Sequence, residues 1–144
     1  MSNKFTSQFY DDKARSDVIE FVKNKNNDLN IDKKPVANQV GFYLPDHTSR
    51  AAEIMKLFTE FYISHNVFIV AKDAQCANKH IASFPGILRT NSICSYENFN
   101  IEKVDFSTGK ETLFLLDGVR LKEFNTLTES KSDENFFKVI SLFS

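Results

Sequence analysis

Two short runs of the chain contain only apolar side chains, and they constrain the fold more than any other feature of the sequence. Residues 67–71 read Val-Phe-Ile-Val-Ala, and residues 113–116 read Leu-Phe-Leu-Leu. A strand that is buried on both faces of a sheet needs apolar residues at every position, and such strands are this short. Because helices must cover both faces of that kind of sheet, we expect the two runs to lie side by side as parallel central strands.

A helical segment precedes the first apolar run. Between residues 49 and 64, with Ser49 as the expected N-cap, apolar side chains recur every three or four residues, as on one face of a helix. A short apolar segment, residues 39–44, comes before this helix and stops at Pro45. Residues 39–71 therefore predict a strand–helix–strand unit with a right-handed parallel crossover.

The other segments predict further helices and strands around this unit. Helices are expected at residues 11–25 and 74–84 and, at the C-terminus, at residues 133–143. Strands are expected at residues 87–96 and at residues 99–106, the second of which would form a hairpin with residues 112–116.

These elements together predict a single α/β domain over residues 1–144. We expect a three-layer-like arrangement with a mixed, mostly parallel sheet of about four to five strands and helices packed on it. Residues 1–36 form an N-terminal helical arm in this scheme, and residues 37–144 form the core, which ends in the C-terminal helix.

The composition narrows the classes of partner. The 144 residues include 18 Lys and Arg against 19 Asp and Glu, a formal charge of −1, which argues against a nucleic-acid partner because such proteins need a strong positive field. No apolar run approaches the roughly 18–20 residues that span a bilayer, so no membrane partner is expected. The N-terminus has no apolar signal segment, and the two cysteines, Cys76 and Cys94, form no dense framework, so we expect a reducing, cytoplasmic setting.

A candidate ligand site lies where the predicted strands end. In an open α/β sheet, ligands bind outside the carboxyl ends of the strands. Three such ends carry hydroxyls, cations and carboxylates suited to a phosphate-bearing ligand. The candidate ligand-binding residues are Thr48, Ser49, Arg50, Lys72, Asp73, Asp117 and Arg120. Polar residues are also ordinary where strands leave a core.

No phosphate-binding fingerprint supports that site, because neither G-x-x-x-x-G-K-[ST] nor G-x-G-x-x-G occurs. The order of elements over residues 39–118 nevertheless resembles the nucleotide-binding core of P-loop ATPases such as phage terminases. In that layout His47, Thr48 and Ser49 take the place of the phosphate loop, and Asp117 takes the place of the Walker B acid. The phosphate-loop lysine is absent, so the resemblance does not imply ATP hydrolysis.

Metal binding and nucleophilic catalysis have weaker support. Cys76 and His80 are four residues apart and share a helix face, and Cys94 with His47 or His65 would have to complete a metal site. Zinc sites usually contain two pairs of ligands, each closely spaced in the sequence, and here only Cys76 and His80 form such a pair. We therefore predict no metal, no cofactor and no catalytic residue.

Two functions remain open. The favoured one is a non-enzymatic protein–protein interaction module, such as a small accessory or inhibitor protein of a phage or mobile element acting on a host or competitor protein. It rests on the small size, the near-neutral charge, the missing fingerprints and 15 Phe residues, some of which would anchor a partner. The alternative is a small nucleotide- or phosphate-binding enzyme or sensor that uses the strand-end site. A homodimer is compatible with either function.

Overall fold

The computed structural model describes residues 8–23, 38–83, 92–129 and 137–144. Within these residues, six strands form one sheet in the order β1-β2-β6-β5-β3-β4, and every neighbouring pair is parallel. The strands are β1 (Gln8–Phe9), β2 (Gln39–Tyr43), β3 (His65–Ala71), β4 (Ile93–Ser95), β5 (Glu111–Asp117) and β6 (Phe137–Phe143). The helices are α1 (Asp12–Lys23), α2 (His47–Phe61), α3 (Ala74–Ser83) and α4 (Leu121–Thr128). The predicted single α/β domain is thus confirmed.

The two apolar runs form the centre of the sheet as expected. β3 and β5 are parallel neighbours over seven residue pairs, from His65 opposite Glu111 to Ala71 opposite Asp117. Side chains from β3 alternate between the two hydrophobic cores, with Ile69 in one and Val70 in the other. This alternation explains why the run has no polar residue between positions 67 and 71.

Helices cover both faces of the sheet. α1, α2 and α3 pack on one face, against side chains such as Ile69 and Leu115. The other face is covered by α4 and by two 3-10 turns, Tyr96–Asn98 and Ile101–Lys103, which pack around Phe114. In the described part of the chain, no helix combines the length and the apolar character that crossing a bilayer requires.

The predicted C-terminal helix is wrong, because residues 137–143 form β6 and insert between β2 and β5. The short apolar run fits a helix or a strand, and burial on both sides decides for the strand. Two polar side chains of β6 are buried and bonded to backbone oxygens. Lys138 Nζ donates to the carbonyl of Phe21 at 2.8 Å, and Ser141 Oγ donates to that of Val119 at 2.6 Å.

The predicted hairpin is also wrong, since the 3-10 turns replace a strand at residues 99–106. Side chains that accept backbone hydrogen bonds start both turns: Ser95 accepts from Asn98 N, and Asn100 accepts from Glu102 N. The chain therefore keeps turning instead of extending, and the sheet is parallel rather than mixed. Of the strand predicted at residues 87–96, Ile93–Ser95 is observed, and residues 87–91 lie outside the described residues.

The described part of the N-terminal arm packs on the core. Val18 and Val22 of α1 are fully buried. Glu53 of α2 accepts two hydrogen bonds from Arg15, at 2.8 and 2.6 Å, and one from the Tyr10 hydroxyl at 2.5 Å. This network ties α1 to α2. Residues 1–7 and 24–36 of the predicted arm lie outside the described residues.

Candidate functional site

The three strand ends that carry the predicted site meet at one edge of the sheet. This follows from the parallel arrangement, since the carboxyl ends of all the strands lie at the same edge. Backbone hydrogen bonds link the end of β3 to that of β5, where Lys72 N donates to Asp117 O at 3.0 Å. The ends of β5 and β2 are linked through β6, where Gly118 N donates to Leu142 O at 2.8 Å and Leu44 N donates to Phe143 O at 2.7 Å. The expected convergence of the loops is therefore observed.

Asp117 lies at the centre of this edge, and its carboxylate is shared by two side chains. Its Oδ1 accepts from Arg50 Nε at 2.8 Å, and its Oδ2 accepts from His80 Nε2 at 2.7 Å. Arg50 Nη1 also donates to the carbonyls of Leu44 and Pro45, at 3.0 and 3.2 Å. The arrangement connects β5, α2, α3 and the loop after β2.

This Arg50–Asp117–His80 cluster is closed to solvent. The three residues are 1%, 3% and 2% exposed. Burial by itself would raise the pKa of the Asp117 carboxyl, but the hydrogen bonds from His80 and Arg50 outweigh it and hold the pKa below its usual range. Asp117 is therefore an anion whose charge is balanced inside the protein, and a ligand does not reach it in this structure.

His80 is the member of the cluster that the sequence-based ligand set did not include. It lies in α3, which begins just after β3, and its spacing from Cys76 in the sequence indicates only a metal ligand or a partner of that thiol. A histidine two helical turns into α3 gives no local sign that it will face the end of β5, 37 residues away in the chain.

The N-termini of α2 and α3 are occupied by carboxylates of the protein itself. Asp46, and not Ser49 as predicted, is the N-cap of α2, and its carboxylate accepts from Ser49 N and Oγ at 3.0 and 2.7 Å. Asp73 accepts from Cys76 N at 2.9 Å in the same way. The hydrogen bonds from Ser49 and from Cys76 hold the pKa of Asp46 and of Asp73 below their usual range. A phosphate at either helix would have to displace a carboxylate.

The other predicted ligand-binding residues are exposed. Thr48 lies in the first turn of α2, and the methylene groups of Lys72 lie over Gly118, 3.1 to 3.4 Å from the position of a Cβ there. Arg120 Nη2 donates to Ser144 O at 2.8 Å, and its guanidinium lies 4.8 Å from the centroid of the Phe143 ring. The structure thus gathers the candidate residues at one edge but pairs Arg50 with Asp117, and ligand binding by the remainder stays a prediction.

A row of aromatic side chains crosses the same edge, on the sheet face that α4 covers. Phe9, Tyr43 and Phe143 stand opposite one another on β1, β2 and β6, with ring centroids 6.2 Å apart in both steps. Phe9 is 54% and Tyr43 41% exposed, and Phe143 is half-buried. We call these three residues with Arg120 the aromatic row. The sequence predicted exposed Phe residues but could not name them.

α4 lies beside the row without covering it. Its eight residues have a length of about 12 Å, and the helix packs against β2. On β2, the Cβ position of Gly41 is 3.2 Å from Leu121 of α4, whereas Tyr43 lies beyond that contact. Gln39 and Asn125 fix this edge of α4 with reciprocal amide hydrogen bonds of 3.0 and 3.1 Å.

The two cysteines do not have the character of nucleophiles. Burial raises the pKa of Cys94 to about 11, and burial together with the Asp73 carboxylate raises that of Cys76, so both thiols stay protonated near neutral pH. Among the described residues, no three His, Cys, Asp or Glu side chains come together in a group that could hold a metal ion.

Comparison of the chain with models of protein families, with curated proteins and with solved structures finds no match in any of the three. The resemblance to P-loop ATPases therefore rests on the order of elements alone. In the structure, the residue in the Walker B position is the buried Asp117, which is bonded to Arg50 and His80.

Proposed function

We propose that this protein is a non-enzymatic module that binds another protein through the aromatic row. The exposure of Phe9 and Tyr43, in register on neighbouring strands, is the observation that supports this function. Tyrosine and arginine are enriched among the residues that dominate binding energy at protein interfaces, and large rings contribute the most buried area. We further propose that the protein acts in the cytoplasm as an accessory or inhibitor protein of a phage or mobile element. This part of the proposal rests on composition.

The row is built to bind without rearrangement. Phe9 and Tyr43 are held by strand pairing, and Tyr10 N donates to Tyr43 O at 2.9 Å directly beside them. A backbone that is already ordered in this way loses little conformational entropy when a partner covers the rings, which favours affinity. The cluster of Arg50, Asp117 and His80 contributes to the same conclusion, because its members are buried and bonded to one another rather than presented to a substrate.

The charge at one end of the row indicates the chemistry of the partner. Arg120 is exposed, and a guanidinium has five N–H donors, of which the contact with Ser144 O engages one group. A partner segment with apolar side chains followed by Asp or Glu would place the apolar groups on the rings and the carboxylate on Arg120. We therefore propose a partner with an apolar and acidic surface segment rather than a second copy of this chain.

Affinity capture with three forms of the protein tests this function. Wild type, the Phe9→Ala/Tyr43→Ala variant and the control Ile63→Ala, which changes a residue 72% exposed at the end of α2, are each incubated with lysate of the native host. The captured protein is then purified and its affinity measured. We expect one stoichiometric partner with an apolar and acidic site, bound equally by wild type and control and at least about tenfold more weakly by the double variant.

Three results would contradict the proposal. Capture of no stoichiometric partner is the first, and equal affinity of all three forms is the second. The third is a wild-type dimer in sedimentation that the Phe9→Ala/Tyr43→Ala change converts to a monomer, because the row would then serve self-association. Thermal unfolding of each form shows whether the alanine changes leave the fold intact.

A further inference from the structure

A cavity of about 630 Å³ lies near the amino-terminal half of β3, away from the strand ends described above. Among the described residues, β4 pairs with Ile69–Ala71 of β3, at the carboxyl-terminal end of that strand. The chain from residue 96 to residue 105 forms 3-10 turns instead of continuing the sheet. The end of α2 closes a third side. β3, the turns and the end of α2 together line the cavity, and its volume falls within the range of small-molecule sites.

The lining combines aromatic rings with side-chain amides. Tyr62 and Phe99 line the cavity, as do Asn66 and Asn98, whose side chains carry amides. Tyr62 is 38% exposed and stacks on Phe58 with ring centroids 5.5 Å apart and an interplanar angle of 12°, so its ring is held in place. An amide offers both a donor and an acceptor, which is the pattern that reads the edge of a heterocyclic base.

Two lysines give the cavity a positive rim. Lys103 and Lys110 are exposed and both line it. The nearby Asp105 carboxylate accepts from Ser107 N and Oγ at 2.9 and 2.6 Å, and Asn66 Nδ2 donates to the Asp105 carbonyl at 3.2 Å. These bonds fix the loop that carries the charges. Among the lining residues, two lysines stand against the one carboxylate of Asp105, and this rim is suited to an anion.

We propose that this cavity binds a free mononucleotide, with the base against Tyr62 and the asparagine amides and the phosphate on Lys103 and Lys110. The combination of ring, amide and cation within one cavity is what selects this ligand class. Stacking of a base on an aromatic side chain and ionic hydrogen bonds to a phosphate are each strong enough to position such a ligand. This site is independent of the aromatic row.

Isothermal titration with AMP, UMP, adenosine, inorganic phosphate and a uridine hexanucleotide tests the proposal. The variants are Lys103→Ala/Lys110→Ala and Tyr62→Ala, and the matched control is Lys56→Ala/Lys122→Ala, which removes two exposed lysines outside the cavity. We expect AMP or UMP to bind wild type and the control equally and each cavity variant at least about tenfold more weakly. Adenosine and phosphate alone should bind more weakly than the mononucleotide.

Changes in the amide NMR chemical shifts of the wild-type protein when a nucleotide is added locate the binding site. This measurement needs no variant, so it does not depend on whether a variant folds. We expect AMP or UMP to shift the side-chain amides of Asn66 and Asn98. Shifts confined to Lys72 and Asp73 would place the ligand at the strand ends and overturn the proposal. Absence of mononucleotide binding, binding of the hexanucleotide alone, or equal binding by all variants would also overturn it. Because Phe9→Ala/Tyr43→Ala should bind AMP normally, failure here and failure of the aromatic row are distinguishable.

Discussion

Replacing Asp117 with asparagine is the change that tests the closed cluster most directly. Asparagine has nearly the same shape, so packing is retained while the charge is removed. Arg50 would then keep its positive charge at 1% exposure with neutral acceptors only, namely the new amide oxygen and the carbonyls of Leu44 and Pro45. An ion that is buried without its counter-ion is strongly destabilising.

The size of the effect follows from burial. Removing one partner of a buried ion pair costs about 3–5 kcal/mol of the free energy of unfolding. The substituted amide retains a hydrogen-bond acceptor, so we expect about 3 kcal/mol, which for a chain of 144 residues lowers the unfolding midpoint by about 10 °C. Since domains of this kind are stable by only about 5–15 kcal/mol, the variant would lose a large share of its stability.

Urea unfolding followed by circular dichroism measures this loss at pH 7. Asp105→Asn is the matched control, because that carboxylate is exposed and bonded only to Ser107 among the described residues, and we expect a far smaller change. Adding Arg50→Met to Asp117→Asn should recover part of the loss, since it removes the uncompensated charge. A loss below about 1 kcal/mol for Asp117→Asn would refute the reasoning and indicate that water reaches Arg50.

The pH dependence gives an independent measurement. The pKa of Asp117 is lower in the folded protein than its ordinary value of 3.8, so the unfolded chain binds the proton more readily. The stabilisation by the carboxylate is therefore complete above the ordinary pKa and is lost as the pH falls below 3.8 toward the folded pKa. Stability of the wild type should fall more steeply with acid over this window than stability of Asp117→Asn. Parallel curves would contradict the ionic account.

Three further predictions concern Glu53, the two positive-φ glycines and Cys94. Glu53→Gln weakens the 2.6 and 2.8 Å contacts with Arg15 that hold α1, and we expect urea unfolding at pH 7 to show a loss of about 1–2 kcal/mol in the free energy of unfolding. The folded protein lowers the pKa of Glu53 from its ordinary value of 4.5, so this loss should shrink as the pH falls below 4.5. Gly118→Ala and Gly109→Ala both force a side chain into positive φ, at +82° and +85°, for about 1–2 kcal/mol each. Gly118→Ala should be the more destabilising, because its Cβ has a neighbour at 3.1 Å and that of Gly109 has none within 4 Å. Cys94 has a pKa of about 11, so at pH 8 it should react with iodoacetamide about a hundredfold more slowly in the native protein than in urea. Peptide mass spectrometry measures the two rates, and similar rates would show an exposed thiolate.

Much of the architecture could be predicted because its signal is local. Apolar runs gave β3 and β5, and helical periodicity gave α2 within a few residues of its observed bounds, His47–Phe61. The prediction failed at β6, where seven residues are too few to distinguish a strand from a helix by periodicity. It failed again at residues 99–106, where Asn100 accepts a backbone hydrogen bond and turns the chain.

The candidate site could be predicted as a location but not as a set of contacts. Parallel strands bring their carboxyl ends to one edge, so Arg50 and Asp117 were expected near each other. Their direct pairing, across 67 residues of sequence, decides that both face inward, and His80 joins them from a third element. The aromatic row likewise arises from the register of three strands, since Phe9, Tyr43 and Phe143 are far apart in the chain.

The amino-acid sequence by itself determined the α/β class, the two central strands and the helix α2 that connects β2 to β3. Burial of an apolar face imposes a period on neighbouring residues, and that period can be read from the sequence. Only the tertiary structure decided the strand order, the placement of β6 and which charged side chains are paired or exposed. Those features depend on contacts between residues distant in sequence, whose energy is set by register and burial rather than by any local pattern.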